Sequence, residues 1–115
     1  MNNFQLSKNF NLREFQCRCC SQAKVSSRLV ERLQQLRDRV GVPVMVTSGY
    51  RCPTHNRNVG GAPNSFHPQG LAADVRTGRH SPRELARLGE QLGFNGIGIY
   101  SNFVHLDLRS NPARW

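Results

Sequence analysis

One stretch of the chain, residues 65–74, combines residue types that could bind a metal ion; it reads Ser-Phe-His-Pro-Gln-Gly-Leu-Ala-Ala-Asp. His67 and Asp74 lie seven residues apart in it. A loop followed by the start of a strand would bring these two side chains to one point, because Gly70 permits a tight bend and the two alanines leave room for an ion. An imidazole nitrogen and a carboxylate oxygen are a ligand pair typical of zinc. The stretch therefore predicts a metal site.

A second histidine could complete the site from residues 103–107, which read Phe-Val-His-Leu-Asp and lie within a predicted strand. His105 and Asp107 point to the same face of that strand because they are two residues apart. If the strand lies beside the one that carries Asp74, two histidines and one aspartate meet there. Three protein ligands with one open position are the composition of a catalytic zinc site, whereas structural sites are usually closed by four ligands.

The pattern S-x-H-x-x-G-x-A-x-D, with an arginine upstream and a histidine on a later strand, resembles the signature of the M15 family of zinc D-alanyl-D-alanine peptidases. Members of that family cut peptidoglycan stem peptides. The resemblance covers about residues 11–115 and is closest to the small single-domain members, which include phage lytic enzymes. It implies one catalytic zinc ion bound by His67, Asp74 and His105.

Three further residues are expected on the substrate side of the metal. The resemblance implies that Arg51 contacts the substrate carboxylate or the developing oxyanion. The alternative for Arg51 is an ion pair with an acidic neighbour such as Glu14. Ser65 is expected to stabilise its loop or to contact the substrate, and Tyr50 is expected to line the cleft or to pack in the core.

Hydrolysis also requires a group that accepts a proton from the attacking water. Better-known members of the family carry an acidic residue three positions before the third zinc ligand, but Asn102 occupies that position here. Asp107 shares a strand face with His105, so we predict that Asp107 is the catalytic base. The alternative is that Asp107 only orients a ligand histidine, and Glu14 is then the next candidate for the base.

Four cysteines form a second group that could do chemistry. Cys17, Cys19 and Cys20 lie in one short segment, and Cys52 directly follows Arg51. We predict that Cys17 or Cys20 lies close to Cys52 and anchors the N-terminal segment beside the active site. A disulfide, a second, structural zinc ion bound by the four cysteines, and free buried thiols all remain open, although cytosolic reduction argues against the disulfide.

Hydrophobic spacing and capping residues predict the elements that position these side chains. Leucines and valines at helical spacing predict a helix over residues 27–40, which a serine caps and Gly41 ends. A capping box that begins at Ser81 starts another helix, which Gly93 ends. The remaining predicted elements are helical segments at 11–15 and 54–59 and strands at 42–47, 71–76, 94–100 (weakened by two glycines) and 103–108.

Strands and helices do not alternate regularly, and the last two predicted strands are joined by a two-residue turn, which makes them antiparallel. We therefore predict an α+β fold, a small antiparallel sheet of about four strands with helices packed on one side, as in hedgehog and DD-peptidase domains. A chain of 115 residues suffices for one domain, so we expect a single domain over residues 1–115 with residues 1–10 as a surface arm.

The net charge of +9 favours polyanionic partners such as a bacterial envelope or nucleic acid. The arginines are scattered and aromatic residues do not interleave with them, so no specific nucleic-acid partner is expected. No apolar run approaches the roughly 20 residues of a membrane span, which argues against membrane insertion. Residues 1–10 lack the pattern of a signal peptide. We expect a monomer that is made in the cytoplasm and acts at the cell wall or in the periplasm, as a phage-released enzyme would.

These features favour a zinc metallopeptidase that hydrolyses peptidoglycan stem peptides or crosslinks, as a D-alanyl carboxypeptidase or an endopeptidase. The alternative function is a non-catalytic, zinc-containing module that binds cell wall or a partner, and Asn102 favours it because the usual base is missing. A non-specific nucleic-acid binder, driven by net charge alone, is a third hypothesis.

Overall fold

The computed structural model describes residues 4–61 and 65–115, which form a five-stranded sheet and three helices. The fold class is α+β, as predicted. The strands are β1 (Met45–Ser48), β2 (Ala72–Arg76), β3 (Gly96–Ile99), β4 (Val104–Asp107) and β5 (Ala113–Arg114); the helices are α1 (Ser27–Val40), α2 (Pro53–Asn58) and α3 (Pro82–Gln91), with single 3-10 turns at Leu12–Phe15 and His67–Gln69.

The sheet order is β1-β2-β4-β3-β5, so β2 and β4 are neighbours although α3 and β3 separate them along the chain. The pairing is antiparallel except between β3 and β5. Its register sets Asp74 directly opposite His105 and Ala72 opposite Asp107. The short fifth strand was not predicted, because two residues are too few to show any periodicity.

Both long helices begin and end where their capping residues indicate. The Ser26 side chain accepts a hydrogen bond from the Arg28 backbone at the start of α1, and Gly41 ends the helix with a left-handed φ of 71°. Ser81 and Glu84 form the predicted capping box of α3. Across residues 4–61 and 65–115, no helix is long and apolar enough to cross a membrane.

Strand alternation gives the sheet two different faces. One face carries apolar side chains, among them Val75 of β2 and Leu106 of β4, and these pack with α1 and α3 in a single core. The other face carries Asp74, His105 and Asp107, which are buried polar residues. Helices α1 and α3 therefore stabilise the sheet from one side, and the opposite side can hold a site.

The N-terminal segment contributes to the core, so it is only partly the surface arm that was predicted. Phe10 is completely buried and its ring lies 6.2 Å from that of Phe15. Leu6 packs against the same core, whereas Phe4 is exposed. The first three residues of the predicted arm lie outside the described residues.

Candidate metal centre

Three predicted ligands meet on the polar face of the sheet. His67 Nε2 lies 3.3 Å from Asp74 Oδ1, and His105 Nδ1 lies 3.0 Å from the same oxygen. All three side chains are buried, and each offers a ligand atom within 4.8 Å of the others. Ligand atoms at the usual zinc distance of about 2.1 Å stand about 3.4 Å apart around a tetrahedral ion. The spacing therefore suits a zinc ion.

The second nitrogen of each histidine is fixed by an acceptor. His67 Nδ1 lies 2.6 Å from the Gly49 carbonyl oxygen, and His105 Nε2 lies 2.7 Å from Asp107 Oδ2. If these nitrogens donate, the other nitrogen of each ring directs a lone pair at Asp74 Oδ1. Lone pairs directed at one point repel one another, and a cation at that point removes the repulsion. Metal-binding histidines are oriented by such partners, so the donor set fits a metal ion.

The short turn that carries His67 requires a glycine at its end. The turn spans His67–Gln69, and Gly70 follows it with a left-handed φ of 72°. A Cβ at Gly70 would also come within 2.7 Å of the Lys24 carbonyl oxygen. Ser65 accepts a hydrogen bond from the His67 backbone at 3.2 Å, which is the loop-stabilising contact predicted for it. His67 therefore reaches the strands from a fixed turn.

Charge is distributed so that Asp74 is ionised. Burial raises the pKa of Asp74, but hydrogen bonds to His105 and His67 outweigh it and bring the pKa to about 2. Burial lowers the pKa of His105, but the hydrogen bonds to Asp107 and Asp74 raise it above the usual value overall. A proton on His105 competes with a metal for Nδ1, so metal binding at this centre releases that proton.

Arg51 is held beside the centre by three acceptors. Its guanidinium donates to Asp74 Oδ2 at 2.9 Å, to Ser48 Oγ at 3.0 Å and to Asn56 Oδ1 at 3.3 Å. The ion pair of Arg51 is thus with Asp74, and Glu14 instead accepts from the Asn11 backbone. Because Arg51 occupies Oδ2, the other oxygen of Asp74 remains directed at the histidines.

Asp107 is completely buried beneath His105, and donors surround both of its oxygens. It accepts from His105 Nε2 at 2.7 Å, from the Arg109 backbone at 3.0 Å and from the Arg109 guanidinium at 2.9 and 2.7 Å. Burial raises the pKa of Asp107, but these contacts lower it well below the usual range. A carboxylate so enclosed is shielded from an attacking water, and the assignment of Asp107 as the base stays a prediction. Its contacts fit the orienting alternative.

A family model described as Peptidase M15 matches residues 6–107. The chain belongs to the M15 peptidase family. The zinc D-Ala-D-Ala carboxypeptidase of Streptomyces albus G is 42% identical over 67 residues, which are 57% of this chain and 26% of that relative. The chain thus spans about a quarter of the length of the curated relative it matches. The resemblance inferred from the motif is confirmed.

The M15 centre opens into a cleft of about 480 Å³ with an aromatic side. Tyr100 stacks on Phe103 with ring centroids 4.5 Å apart, and Trp115 Nε1 donates to the Tyr100 hydroxyl at 2.8 Å. The Arg109 guanidinium lies 4.7 Å from the centre of the Phe66 ring. Among the described residues, the cleft is lined by Arg51, Val59, Gly60, Gly61, Ser65, Phe66, His67, Asp74, Tyr100, Phe103, His105, Arg109 and Trp115.

The residues predicted on the substrate side of the metal in this M15 chain differ in where they lie. Arg51 and Ser65 line the cleft, and Tyr50 does not. The Tyr50 backbone donates to the Phe15 carbonyl at 3.0 Å. Burial and the charges of the cysteine group raise the pKa of the Tyr50 phenol.

Sequence reasoning missed Arg109 and Trp115. The period-two spacing that relates His105 to Asp107 extends to Arg109, so alternation alone could have indicated it. Trp115 had no such signal, because its position depends on pairing between two distant segments: its backbone bonds Ile97 and Ile99 of β3 at 3.0 and 2.8 Å. Trp115 thus contributes to the aromatic side of the M15 cleft.

Proposed function

We propose that the protein is a zinc-dependent peptidase that hydrolyses peptidoglycan stem peptides or crosslinks. The observation that carries the proposal is the convergence of three buried ligand atoms at an open cleft, with the second nitrogen of each histidine fixed. The family and the name of the Streptomyces relative support the same reaction class. One zinc ion at His67, Asp74 and His105 would supply an acidified water and an electrophile for the peptide carbonyl.

The protein residues would position the substrate around that ion. Arg51 presents its guanidinium at the cleft, where a substrate carboxylate or a developing oxyanion is the expected partner. Ser65 and the aromatic side formed by Tyr100, Phe103 and Trp115 would contact the peptide. That the protein acts as a monomer, without a specific nucleic-acid partner, stays a prediction.

Digestion of purified peptidoglycan tests the proposal and identifies the bond that is cut. A carboxypeptidase releases free D-alanine, and an endopeptidase creates new amino termini within crosslinks without releasing D-alanine. Production of the protein in bacteria together with a membrane pore, with lysis as the readout, tests the finer proposal of a phage-released lytic enzyme at the cell wall. Absence of any product from a zinc-loaded preparation would contradict the peptidase.

One observation favours a second candidate, a non-catalytic zinc module that binds cell wall. Of the described residues that line the cleft, Asp74 is the one carboxylate, and it faces the histidines. Asn102 takes the place of the family's usual base. Cosedimentation with insoluble wall, without new amino termini or free D-alanine, would identify this function.

We propose that Asp107 is a positioning residue that acts through His105. Asp107→Asn is expected to weaken zinc affinity by about 10–100-fold, with activity recovering at saturating zinc. If Asp107 is the base, the variant is instead expected to lose about 100-fold or more in turnover at every zinc concentration. Turnover measured against zinc concentration separates the two outcomes, and the second would restore the original assignment.

Gly96 provides a further prediction, because its strand position makes room for Asp107. A Cβ at Gly96 would lie 2.1 Å from Asp107 Oδ1. Gly96→Ala is therefore expected to displace the carboxylate and to weaken zinc affinity by about tenfold or more, measured by competition with a chelator. Gly78→Ala is the matched control, since a Cβ there meets nothing within 4 Å. Equal zinc affinity in both variants would contradict the prediction.

A further inference from the structure

The four cysteines surround one point outside the cleft. Cys19 Sγ lies 3.2 Å from Cys52 Sγ and 3.7 Å from Cys17 Sγ, and all four sulfur atoms, including that of Cys20, lie within 4.8 Å of one another. Cys17 or Cys20 was predicted to lie close to Cys52, and both do. With zinc–sulfur bonds of about 2.3 Å, four thiolates around a tetrahedral zinc ion stand about 3.8 Å apart. The sulfur positions match that arrangement.

The other two interpretations of the cysteines fit less well. Cys19 and Cys20 are exposed, so they are not free thiols buried in a core. A disulfide joins sulfur atoms in pairs, whereas here each sulfur has all three others as neighbours. Exposed thiols gain little from packing against one another, and a cation among them would stabilise their close approach.

The backbone supports the thiolate form of two of these residues. The Cys52 backbone N–H donates to Cys17 Sγ at 3.4 Å, and the His55 N–H donates to Cys52 Sγ at 3.4 Å. Hydrogen bonds to a charged acceptor are stronger than those to a neutral one. Metal binding requires deprotonated cysteine, so these donors favour the ligating state.

The segment that ends at Cys52 also contacts two ligands of the metal centre. Within residues 49–52, the Gly49 carbonyl oxygen accepts from His67 Nδ1 and Arg51 pairs with Asp74. The same segment is joined to the N-terminal part of the chain at Tyr50, whose N–H bonds Phe15. A metal ion at the cysteines would fix the far end of this segment.

We propose that Cys17, Cys19, Cys20 and Cys52 bind a second, structural zinc ion, closed by four thiolates, which positions residues 49–52 beside the catalytic centre. Four thiols lose their protons to solvent when the ion binds, and no redox step is involved. The site is distinct from the cleft because none of the four cysteines lines it.

Zinc content per chain, measured by elemental mass spectrometry, tests this proposal. The parent is expected to carry two ions. A His67→Ala/His105→Ala variant is expected to keep the cysteine ion, and a Cys19→Ser/Cys20→Ser variant is expected to keep the cleft ion with about tenfold weaker affinity, since Gly49 then orients His67 less well. After cobalt exchange, thiolate-to-cobalt charge-transfer absorption is expected in the histidine variant and not in the cysteine variant.

The proposal is overturned if the histidine variant binds no metal and lacks that absorption, or if the unreduced parent has the mass of a disulfide-linked chain. Loss of the cleft ion from the parent, with the cysteine ion present, would instead contradict the proposed peptidase. If the cysteine variant fails to fold, Cys20→His provides the second test, because three thiolates and an imidazole also bind zinc. Folded Cys20→His with two ions supports the proposal, and folded Cys20→His with only the cleft ion contradicts it.

Discussion

Replacing His67 by alanine is expected to abolish metal binding in the cleft and to lower peptidoglycan hydrolysis by at least about a thousandfold, because several kcal/mol of transition-state stabilisation are lost with the metal. Two ligands would remain, Asp74 and His105, and these are also bound to Arg51 and Asp107. Without His67, a proton shared between His105 and Asp74 would satisfy this pair at a lower free-energy cost than binding of a zinc ion.

The measurement is zinc content together with release of D-alanine or new amino termini from purified wall. His80→Ala is the matched control, since it removes an imidazole that does not line the cleft. Its activity should equal that of the parent. Wall hydrolysis by His67→Ala at the parent rate, with the cysteine ion accounted for, would show that the cleft is not the catalytic centre.

Replacing Arg51 by lysine is expected to lower kcat/KM by about 10²–10³-fold while the cleft keeps its zinc. The guanidinium donates to Asp74, Ser48 and Asn56 and still borders the cleft. A lysine keeps the charge, but its compact ammonium lacks the planar fork that makes several directed contacts at once. The loss is therefore expected from geometry and not from net charge.

Separate kcat and KM values assign the role of Arg51. A rise in KM alone indicates a contact with the substrate carboxylate that is equal in ground and transition states, and equal falls in kcat and kcat/KM indicate a contact made only in the transition state. Arg57→Lys is the matched control, because Arg57 lies exposed on α2. An Arg51→Lys variant with parental kcat/KM would show that the Arg51 guanidinium contributes neither to substrate binding nor to catalysis.

Local sequence rules predicted the elements of this fold well. The helix over Ser27–Val40 begins and ends as predicted, because serine and glycine caps act through their own backbone neighbours. Strand alternation correctly placed His105 and Asp107 on one face, because side-chain direction along a strand also depends on local geometry alone. The motif then indicated His67 and Asp74, and the neighbouring position of β2 and β4 sets Asp74 opposite His105.

The roles of individual side chains were harder to predict from sequence. Asp107 has the residue type and the strand face of a base, but Arg109 and His105 occupy its oxygens. Gly96 and Gly98 were interpreted as weakening a strand, whereas a Cβ at either would meet Asp107 or Trp115. Neither the contacts of Asp107 nor the packing at the two glycines can be predicted from local sequence, because each depends on which strand lies alongside.

The sequence by itself determined which residue types could ligate a metal, where the helices begin and end, and which strand residues share a face. All of these follow from the chain's own periodicity and from contacts a few residues long. Only the tertiary structure decided that Asp107 is enclosed, that Tyr50 lies outside the cleft lining, and that Trp115 borders the cleft. Access to water and the number of donors around a carboxylate are set by segments far apart in sequence, since packing between them determines both.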